Sequence, residues 1–282
     1  MLAMKADLAP AFAGVPLNSA QYVHLVAEIE KRVFADRASY LGDPDFTDAP
    51  VTRLLEPAYL ARRAEEVNTE RPTPIADVTP GLAQHHNTTH FSVIDRFGNA
   101  VSNTYTLNDD FGSGQVVTGA GFLLNNEMDD FSAKPGVPNI FGVVGGDANA
   151  IAPGKRPLST MTPTILTQGS RVAVVIGSEG GPSIATQIFQ VLTGWHDFNM
   201  SLASAVAAPR VHHQLLPADT LIEEPYAMLE PKVRKALIAR GYKFVNRGWN
   251  GDVQAIAFAG DQEVAVSDPR GRGVARVLAR AP

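Results

Sequence analysis

The sequence predicts an α+β fold in which sheets and helices pack as a sandwich. Two observations point to this class. The chain has helical periodicity up to about residue 67, whereas the alternation of polar and apolar residues that is typical of strands starts at Thr89. Later strand-like and helix-like segments follow one another without the regular β-α alternation of a doubly wound sheet. With 282 residues, 45% of them hydrophobic, the chain can fill a sizeable core.

Composition narrows the classes of function. The net charge of -5, with no basic block, gives no electrostatic reason to expect a nucleic-acid or anionic-membrane partner. The absence of cysteine excludes disulfides, thiolate metal ligands and a cysteine nucleophile. No apolar run approaches the ~18 residues of a membrane span, and the first residues lack the pattern of a signal peptide. We therefore expect a small-molecule substrate.

The first third of the chain is predicted to be helical. From Asn18 the apolar residues recur at helical spacing and predict an amphipathic helix that ends near Gly42. A second helix is predicted over 56–67, with Pro57 in its first turn. Residues 68–87 contain several prolines and polar residues without periodicity, so we expect an exposed connector of the kind at which chains are cut.

The rest of the chain predicts a hairpin, further strands and two helices. Alternation over 89–95, a turn at Gly98-Asn99 and β-forming residues over 100–107 predict the hairpin. A helix is predicted directly after Gly180-Gly181. Further strands are predicted at 170–176, 242–246, 253–259 and 263–267, and the last helix at 231–240.

The most suggestive nucleophile lies where the connector meets the first strand. If the bond between Asn87 and Thr88 were cut, the α-amine of Thr88 would titrate at about pH 8 and could act as the base for its own hydroxyl. A threonine at the start of a strand is also a common structural residue. Position alone therefore leaves both interpretations open.

Long sequence blocks resemble the small subunit of γ-glutamyltranspeptidases, which are N-terminal nucleophile hydrolases with an αββα sandwich. The blocks are TTHFSVIDRFGNAVSNTYTLN, FLLNNEMDDFSAKPGVPNIFGVVGGDANA, PGKRPLSTMTPTI, APRVHHQ and SDPR, with YLGDPDF further upstream. The resemblance implies that residues 1–87 are the end of a large subunit with its connector. Residues 88–282 would be the small catalytic subunit, released by self-cleavage at Asn87–Thr88.

The resemblance also assigns catalytic roles. Thr88 would cut the precursor and then act as the nucleophile, and Thr106 on the paired strand would orient it. Gly180 and Gly181 match the backbone donors that bind the oxyanion, ahead of a helix whose first N–H groups are free. Glu179, directly before them, departs from the family pattern, because a carboxylate there opposes an oxyanion unless it points away.

A γ-glutamyl group carries an ammonium and a carboxylate on its α-carbon, so its pocket needs both acceptors and donors. Asn108, Glu127 and Asp130 match the family positions that receive the ammonium. Ser159 and Thr160 match the hydroxyl pair that holds the carboxylate. Without the resemblance, the acidic stretch would be interpreted as a solvated turn and the PGKRP segment as a surface loop.

The segment 136–146 resembles the lid over the substrate pocket. Phe141 stands where many bacterial members have a tyrosine whose hydroxyl bonds to the asparagine matched by Asn108. Phenylalanine cannot make this bond, so we expect a looser lid that closes by packing alone.

The implied activity is hydrolysis or transfer of γ-glutamyl groups, from glutathione and related amides, to water or to an amino acid or peptide acceptor. No cofactor is expected, and the adjacent pairs His85-His86 and His212-His213 lack metal-site spacing. Family precursors have a much longer segment before the nucleophile, which supplies an arginine for the α-carboxylate; no residue here matches it. We therefore expect the missing large-subunit segment to be a required partner.

Two alternatives remain at this stage. One is a truncated, unprocessed and inactive homologue, and the other is an amidase like the glutaryl-cephalosporin acylases. Exported relatives favour a periplasmic or extracellular location.

Overall fold

Helices and strands follow one another irregularly along the chain, in agreement with the predicted α+β class. The structure is a computed structural model that describes residues 1–74, 78, 88–137, 139, 143–215, 220–223, 225–246, 251–260 and 262–278. The helices are α1 Leu2–Asp7, α2 Ala9–Phe12, α3 Ala20–Tyr40, α4 Val51–Leu54, α5 Pro57–Glu65, α6 Ile184–His196, α7 Leu202–Ala207 and α8 Pro231–Ala239. The strands are β1 Thr88–Ile94, β2 Ala100–Thr106, β3 Thr164–Gln168, β4 Arg171–Ser178, β5 Thr220–Glu223, β6 Lys243–Asn246, β7 Val253–Ala259 and β8 Gln262–Ser267.

The chain packs as two units, each built from three separate stretches of sequence. Unit 1 contains Met1–His85, Glu127–Ser159 and Pro209–Gly248, and unit 2 contains His86–Asn126, Thr160–Ala208 and Trp249–Pro282. This division reports packing, so the predicted cleavage boundary after residue 87 stays a prediction. Among the described residues, no helix combines the length and apolarity needed to cross a membrane.

Unit 2 is a layered sandwich of helices and two sheets. Its larger sheet has the antiparallel order β3-β4-β7-β8. Helices α6 and α7 cover one face of this sheet through apolar side chains such as Ile176, Ile188 and Val206, all of them buried. The β1-β2 hairpin packs on the other face, where Ser102 Oγ donates to the Ile176 carbonyl at 3.0 Å. Helix, sheet and sheet therefore form three successive layers.

The inner face of the hairpin is polar. Its buried residues Thr88 and His90 alternate with exposed neighbours along β1. His90 Nδ1 lies 2.7 Å from Thr104 Oγ1, and burial lowers the pKa of His90 to about 4, so the ring is neutral at physiological pH. The ring packs on the backbone of Gly177, where any side chain would overlap it. This close contact fixes the distance between β1 and β4.

The outer face of the hairpin is apolar and exposed. It carries Phe91, Val93, Val101 and Tyr105, whose exposed fractions run from 44% to 57%. Because side chains alternate across a strand, the polar inner set forces these residues outward.

Unit 1 is organised around α3, which the sequence predicted in the right place but with the wrong environment. The helix is buried on all sides over most of its length and is not amphipathic. Its charged residues are buried in pairs, since Glu28 lies 2.8 Å from both Lys31 and Arg32. Burial of these ions requires such pairing, because an isolated charge in the interior is costly.

Most of the longer remaining elements agree with the sequence prediction, and several short ones were not predicted. Helices α5, α6 and α8, and strands β4, β6, β7 and β8, lie where they were predicted. The elements that were not predicted are helices α1, α2, α4 and α7 and strands β3 and β5. Of the predicted connector, residues 75–77 and 79–87 lie outside the described residues, so its exposure there stays a prediction.

Candidate active site

Thr88 is the first residue of β1 and lies directly opposite Thr106 of β2 in the strand register. Its side chain belongs to the inner, polar face of the hairpin, and only 6% of the residue is exposed. A hydroxyl in this position is shielded from bulk water and has a second hydroxyl across the strand pair. Asn87, on the other side of the predicted scissile bond, lies outside the described residues.

Asn108 follows the hairpin in a strained backbone conformation. Its φ of 80° is in the left-handed region, which asparagine tolerates better than most residues. Two bonds hold it there. Its backbone N–H donates to Thr106 Oγ1 at 2.8 Å, and its side-chain Nδ2 donates to the Asn126 carbonyl at 3.2 Å. Asn108 is 97% buried and is tied directly to the threonine that faces Thr88.

Gly180 and Gly181 connect β4 to helix α6. Their φ angles are 132° and 52°, both in the region that favours glycine. The helix does not start directly after them, as predicted, because a single 3-10 turn, Gly181–Ser183, intervenes before α6. The two glycines are buried and precede the first helical turns, so their N–H groups are free of α-helical partners.

The residues next to Thr88 and Gly180 share one cavity. Thr89, His90 and Glu179 all line a cavity of about 560 Å³ in unit 2. His90, on the same face of β1 as Thr88, packs on Gly177, three residues before Gly180, so β1 and the end of β4 both border this cavity. The two predicted sets of catalytic groups, the threonine pair and the glycine pair, both belong to unit 2.

Glu179 does not bring the negative charge that the sequence suggested. Burial, and after it the nearby carboxylates of Asp252, Asp110 and Asp268, raise its pKa to about 8. At neutral pH the Glu179 side chain is therefore mostly protonated. An uncharged carboxyl group beside Gly180 does not repel a developing oxyanion.

The predicted ammonium acceptors Glu127 and Asp130 lie on one short 3-10 helix in unit 1. Burial and the neighbouring Glu127 raise the pKa of Asp130 to about 8, while the Arg37 guanidinium acts in the opposite direction. Burial also raises the pKa of Glu127. Two carboxyl groups this close share a proton at neutral pH, which leaves the pair prepared to take up a cation.

Asn149 is a residue of this region that the sequence analysis missed. It is buried, and its Nδ2 donates to the Asp130 carbonyl at 2.8 Å while its Oδ1 accepts from the Leu158 N–H at 3.0 Å. Asn149 thereby fixes the acidic 3-10 helix relative to the chain segment that enters Ser159. No local sequence signal identifies this role, because both partners are distant in sequence.

Arg37, in the last turn of α3, is a second residue that was missed. Its Nη2 donates to the Leu158 carbonyl at 3.4 Å, and together with Asp130 and Asn149 it lines a small cavity in unit 1. Burial lowers the pKa of Arg37 to about 10, so it remains a cation at neutral pH. A fixed cation therefore accompanies the two acids.

The predicted site residues are divided between the two units. Glu127, Asp130 and Ser159 belong to unit 1. Unit 2 holds Thr88, Thr106, Asn108, Thr160, Gly180 and Gly181. Ser159 is exposed and Thr160 half-buried. Phe141 of the predicted lid lies outside the described residues, so the looser closure of the lid stays a prediction.

No metal site emerges from the part of the chain that the structure describes, where no three His, Asp or Glu side chains are grouped to hold an ion. His212 and His213 are both fully buried. His212 Nε2 bonds to Gln214 Oε1 at 2.8 Å, and the backbone N–H of His213 donates to Glu30 Oε2 at 2.7 Å. These histidines are used in packing contacts of unit 1. The pair His85-His86 is outside the described residues.

Comparison with known sequences gives long matches. A family model described as gamma-glutamyltranspeptidase matches residues 1–278. The glutathione hydrolase proenzyme of Pseudomonas aeruginosa is 61% identical over 279 residues, which cover 99% of this chain and 50% of that protein. The acylase ACY 1 proenzyme of a Pseudomonas species is 37% identical over 249 residues, covering 86% of this chain and 41% of that protein. The chain thus spans about half the length of these curated relatives.

A solved structure gives the corresponding match in three dimensions. The γ-glutamyltranspeptidase from Pseudomonas nitroreducens, complexed with L-DON, has a TM-score of 0.66 and 61% sequence identity. The match covers 68% of this chain and 100% of that chain. The α+β sandwich described above is therefore the N-terminal nucleophile hydrolase fold, as predicted. Sequence and structure together place this chain in the γ-glutamyltranspeptidase family.

Proposed function

We propose that residues 88–282 form the catalytic subunit of a γ-glutamyl hydrolase and transpeptidase, released by self-cleavage at the Asn87–Thr88 bond. The observation that carries this proposal is the position of Thr88. It is buried at the start of β1 and paired with Thr106, and His90, on the same inner face of the strand, lines a cavity together with Glu179, the residue before Gly180. A nucleophile, an orienting hydroxyl and free backbone donors are the groups that acyl transfer needs.

The match to the solved structure supports the boundary after residue 87. The whole of that experimental chain corresponds to 68% of this one, close to the share that residues 88–282 occupy. Residues 1–87 then correspond to the end of a large subunit. Because the chain spans about half of its curated relatives, the activity of the full-length proteins is proposed here for the chain by family membership and site chemistry.

The first chemical step forms an ester. The free α-amine of Thr88 accepts the hydroxyl proton as Oγ1 attacks the γ-carbonyl carbon of the substrate. The carbonyl oxygen becomes an oxyanion that accepts hydrogen bonds from the N–H groups of Gly180 and Gly181. When this intermediate collapses, the C–N bond breaks and the amine leaves with the proton held by Thr88. A γ-glutamyl ester on Thr88 remains.

The second step releases the γ-glutamyl group. Water, or the amine of an amino acid or peptide, attacks the ester carbon and gives a proton to the Thr88 amine. The same two glycine N–H groups bind the second oxyanion. The ester C–O bond then breaks, and the threonine hydroxyl takes the proton back. Hydrolysis and transfer differ only in the attacking group, and no cofactor takes part in this sequence.

The substrate α-ammonium is assigned to Glu127 and Asp130. Both carboxyl groups have raised pKa values and lie on one 3-10 helix, so a cation that binds between them favours the loss of their shared proton. Glutaryl side chains carry no ammonium and would leave this pair without a partner. The retained acids, together with 61% identity to a glutathione hydrolase against 37% to an acylase, favour γ-glutamyl substrates.

This assignment predicts a pH dependence. Because burial and Glu127 raise the pKa of Asp130 to about 8, the second negative charge of the pair appears only as the pH approaches and passes that value. We expect kcat/KM for a γ-glutamyl anilide to rise between pH 6 and 8.5. Asp130→Asn should remove the part of this rise that comes from ionisation of Asp130. It should also lower kcat/KM by roughly 10- to 100-fold, the size expected for a charge-assisted hydrogen bond.

A glutaryl anilide is the matched control for this experiment. It reports the ionisation of the Thr88 amine but has no ammonium for Asp130 to bind. The Asp130→Asn change should therefore leave its turnover nearly unchanged. Equal losses with both substrates would remove Asp130 from the ammonium site.

The proposed function is tested by turnover and chain composition together. Purified protein is incubated with γ-glutamyl and glutaryl anilides, and the same sample is run on a denaturing gel. We expect faster release from the γ-glutamyl anilide and a fragment spanning residues 88–282. A preference for the glutaryl substrate would support the acylase alternative. A single uncut band without turnover would support the inactive homologue.

A further inference from the structure

A buried polar cluster lies behind the Gly180–Gly181 loop. It consists of Ser178 at the end of β4, Ser183 in the 3-10 turn and Gln187 in the first turn of α6. All three residues are at most 1% exposed. Three polar side chains are costly to bury unless their hydrogen bonds are made, and here these bonds converge on the loop.

The carbonyls of Glu179 and Gly180 each have a side-chain donor. The Gly180 carbonyl accepts from Ser183 Oγ at 2.7 Å, and Ser183 Oγ in turn accepts from Gln187 Nε2 at 2.8 Å. The Glu179 carbonyl accepts from Ser178 Oγ at 2.7 Å and, more weakly, from Gln187 Nε2 at 3.4 Å. Ser178 Oγ also lies 3.1 Å from Gln187 Oε1. One glutamine amide thus contacts both sides of the loop.

These carbonyl bonds fix the direction of the catalytic N–H groups. In a trans peptide, the C=O of one residue and the N–H of the next point in opposite directions. When the Glu179 carbonyl is held by the cluster, the Gly180 N–H must point away from it. The same holds for the Gly180 carbonyl and the Gly181 N–H. The two proposed oxyanion donors are therefore aimed by groups that never touch the substrate.

The cluster is closely packed. A Cβ on Gly180 would lie 2.5 Å from Gln187 Nε2, and a Cβ on Gly251 would overlap the same amide group. The two glycines approach each other closely enough that a Cβ on Gly180 would lie 3.4 Å from the Gly251 Cα. The amide of Gln187 is thus enclosed between two glycine backbones. Its orientation is set by this enclosure as well as by its hydrogen bonds.

We propose that Gln187, acting through Ser183, is a positioning residue that holds the oxyanion-binding loop in its active geometry. This inference rests on the proposed function, since it assigns the loop a catalytic task. Glutamine suits the position because one side chain supplies the donor for Ser183 and an acceptor near Ser178. An isosteric apolar side chain would fill the volume but could not donate to Ser183 Oγ or to the Glu179 carbonyl.

The test replaces Gln187 by methionine and compares it with Gln190→Met. Gln190 is a buried glutamine on the same helix, and its amide donates to the Thr186 carbonyl. We expect Gln187→Met to lower kcat roughly 10- to 100-fold, with KM for a γ-glutamyl anilide little changed, because misplaced groups act on the transition state. Gln190→Met should keep its kcat. Thermal melting of both variants separates this effect from loss of fold.

A double variant tests whether Gln187 acts through the chain of bonds from its Nε2 to Ser183 Oγ and from there to the Gly180 carbonyl. Ser183→Ala should lower kcat in the same direction, and Gln187→Met combined with Ser183→Ala should cost little more than the larger single loss, because both changes break one chain of bonds. Independent, multiplying losses would mean that Gln187 does not act through Ser183. A kcat within twofold of the unsubstituted chain in Gln187→Met would overturn the inference.

A readout that needs no turnover separates this inference from the proposed function. The amide NMR signals of Gly180 and Gly181 should shift in Gln187→Met and stay in place in Gln190→Met. If the unsubstituted chain does not release γ-glutamyl groups, the proposed function fails while this comparison still decides the positioning role. Unmoved glycine signals in Gln187→Met would refute it.

Discussion

Replacing Thr88 by alanine is expected to leave the chain uncut and to lower γ-glutamyl release by at least ~10⁴-fold, as removal of a covalent nucleophile does. The proposed mechanism uses the Thr88 hydroxyl twice, first on the Asn87 carbonyl and then on the substrate. No other described hydroxyl combines its burial with a position opposite Thr106. A denaturing gel and anilide release measured on the same preparation report both losses.

Thr89→Ala is the matched control for this change. Thr89 is the next residue in the chain, but its side chain points to the exposed face of the hairpin. We expect this variant to be cut and active. Thr88→Ser keeps a hydroxyl and, after cleavage, an α-amine, so it should retain processing. If Thr88→Ala were cut and turned over substrate like the unsubstituted chain, Thr88 could not be the nucleophile.

Replacing Gly180 by alanine should lower kcat by roughly 10²- to 10³-fold, the loss measured for a missing oxyanion donor in other enzymes. Two features of the site cause this. The φ of 132° is disfavoured for alanine, and the new Cβ would lie 2.5 Å from Gln187 Nε2. The loop must therefore move, and with it the N–H groups of Gly180 and Gly181.

Gly169→Ala separates this effect from backbone strain. Gly169 also has a positive φ, 62°, but a Cβ there would meet no atom within 4 Å. It lies in the turn between β3 and β4, in the same unit as Gly180. We expect this variant to be destabilised by about 1 kcal/mol and to keep its kcat. Similar kcat values for the two variants would argue against an oxyanion role for the Gly180 loop.

The elements that the sequence predicted are those with a strong local pattern. Alternation over 89–95 and the Gly98-Asn99 turn identify the hairpin, because one face of it packs on a sheet and the other does not. Strand β5 has no such pattern, since all four of its residues are buried. Helix α7 has only six residues, which is too few for a helical repeat of apolar residues to be recognised in the sequence.

The environment of a helix depends on contacts that local periodicity does not contain. Helix α3 was predicted from its apolar spacing, but its charged residues Glu28, Lys31 and Arg32 are buried as well. They are tolerated because they pair with one another and with Thr73, which is distant in sequence. A pattern of polar and apolar residues cannot distinguish such a pair from a solvated surface.

The same limit applies to the candidate site. Family blocks identified Thr88, Gly180 and Asp130, which stay predictions until variants are measured. The residues that support them, Asn149 and Gln187, act through hydrogen bonds that depend on folding and were found only in the structure. The protonation of Glu179, which the sequence suggested would be a charged carboxylate, was likewise found only in the structure. Its raised pKa comes from burial and from acids of other segments, which adjacency in sequence does not reveal.

The central claim is that the working nucleophile is a chain terminus. Mass spectrometry of a preparation that turns over a γ-glutamyl anilide tests this most directly, with the amino-terminal residues of each chain sequenced from the same sample. The account predicts a chain that begins with Thr88 and carries a free α-amine there. Turnover by a preparation in which the Asn87–Thr88 peptide bond is wholly intact would contradict it.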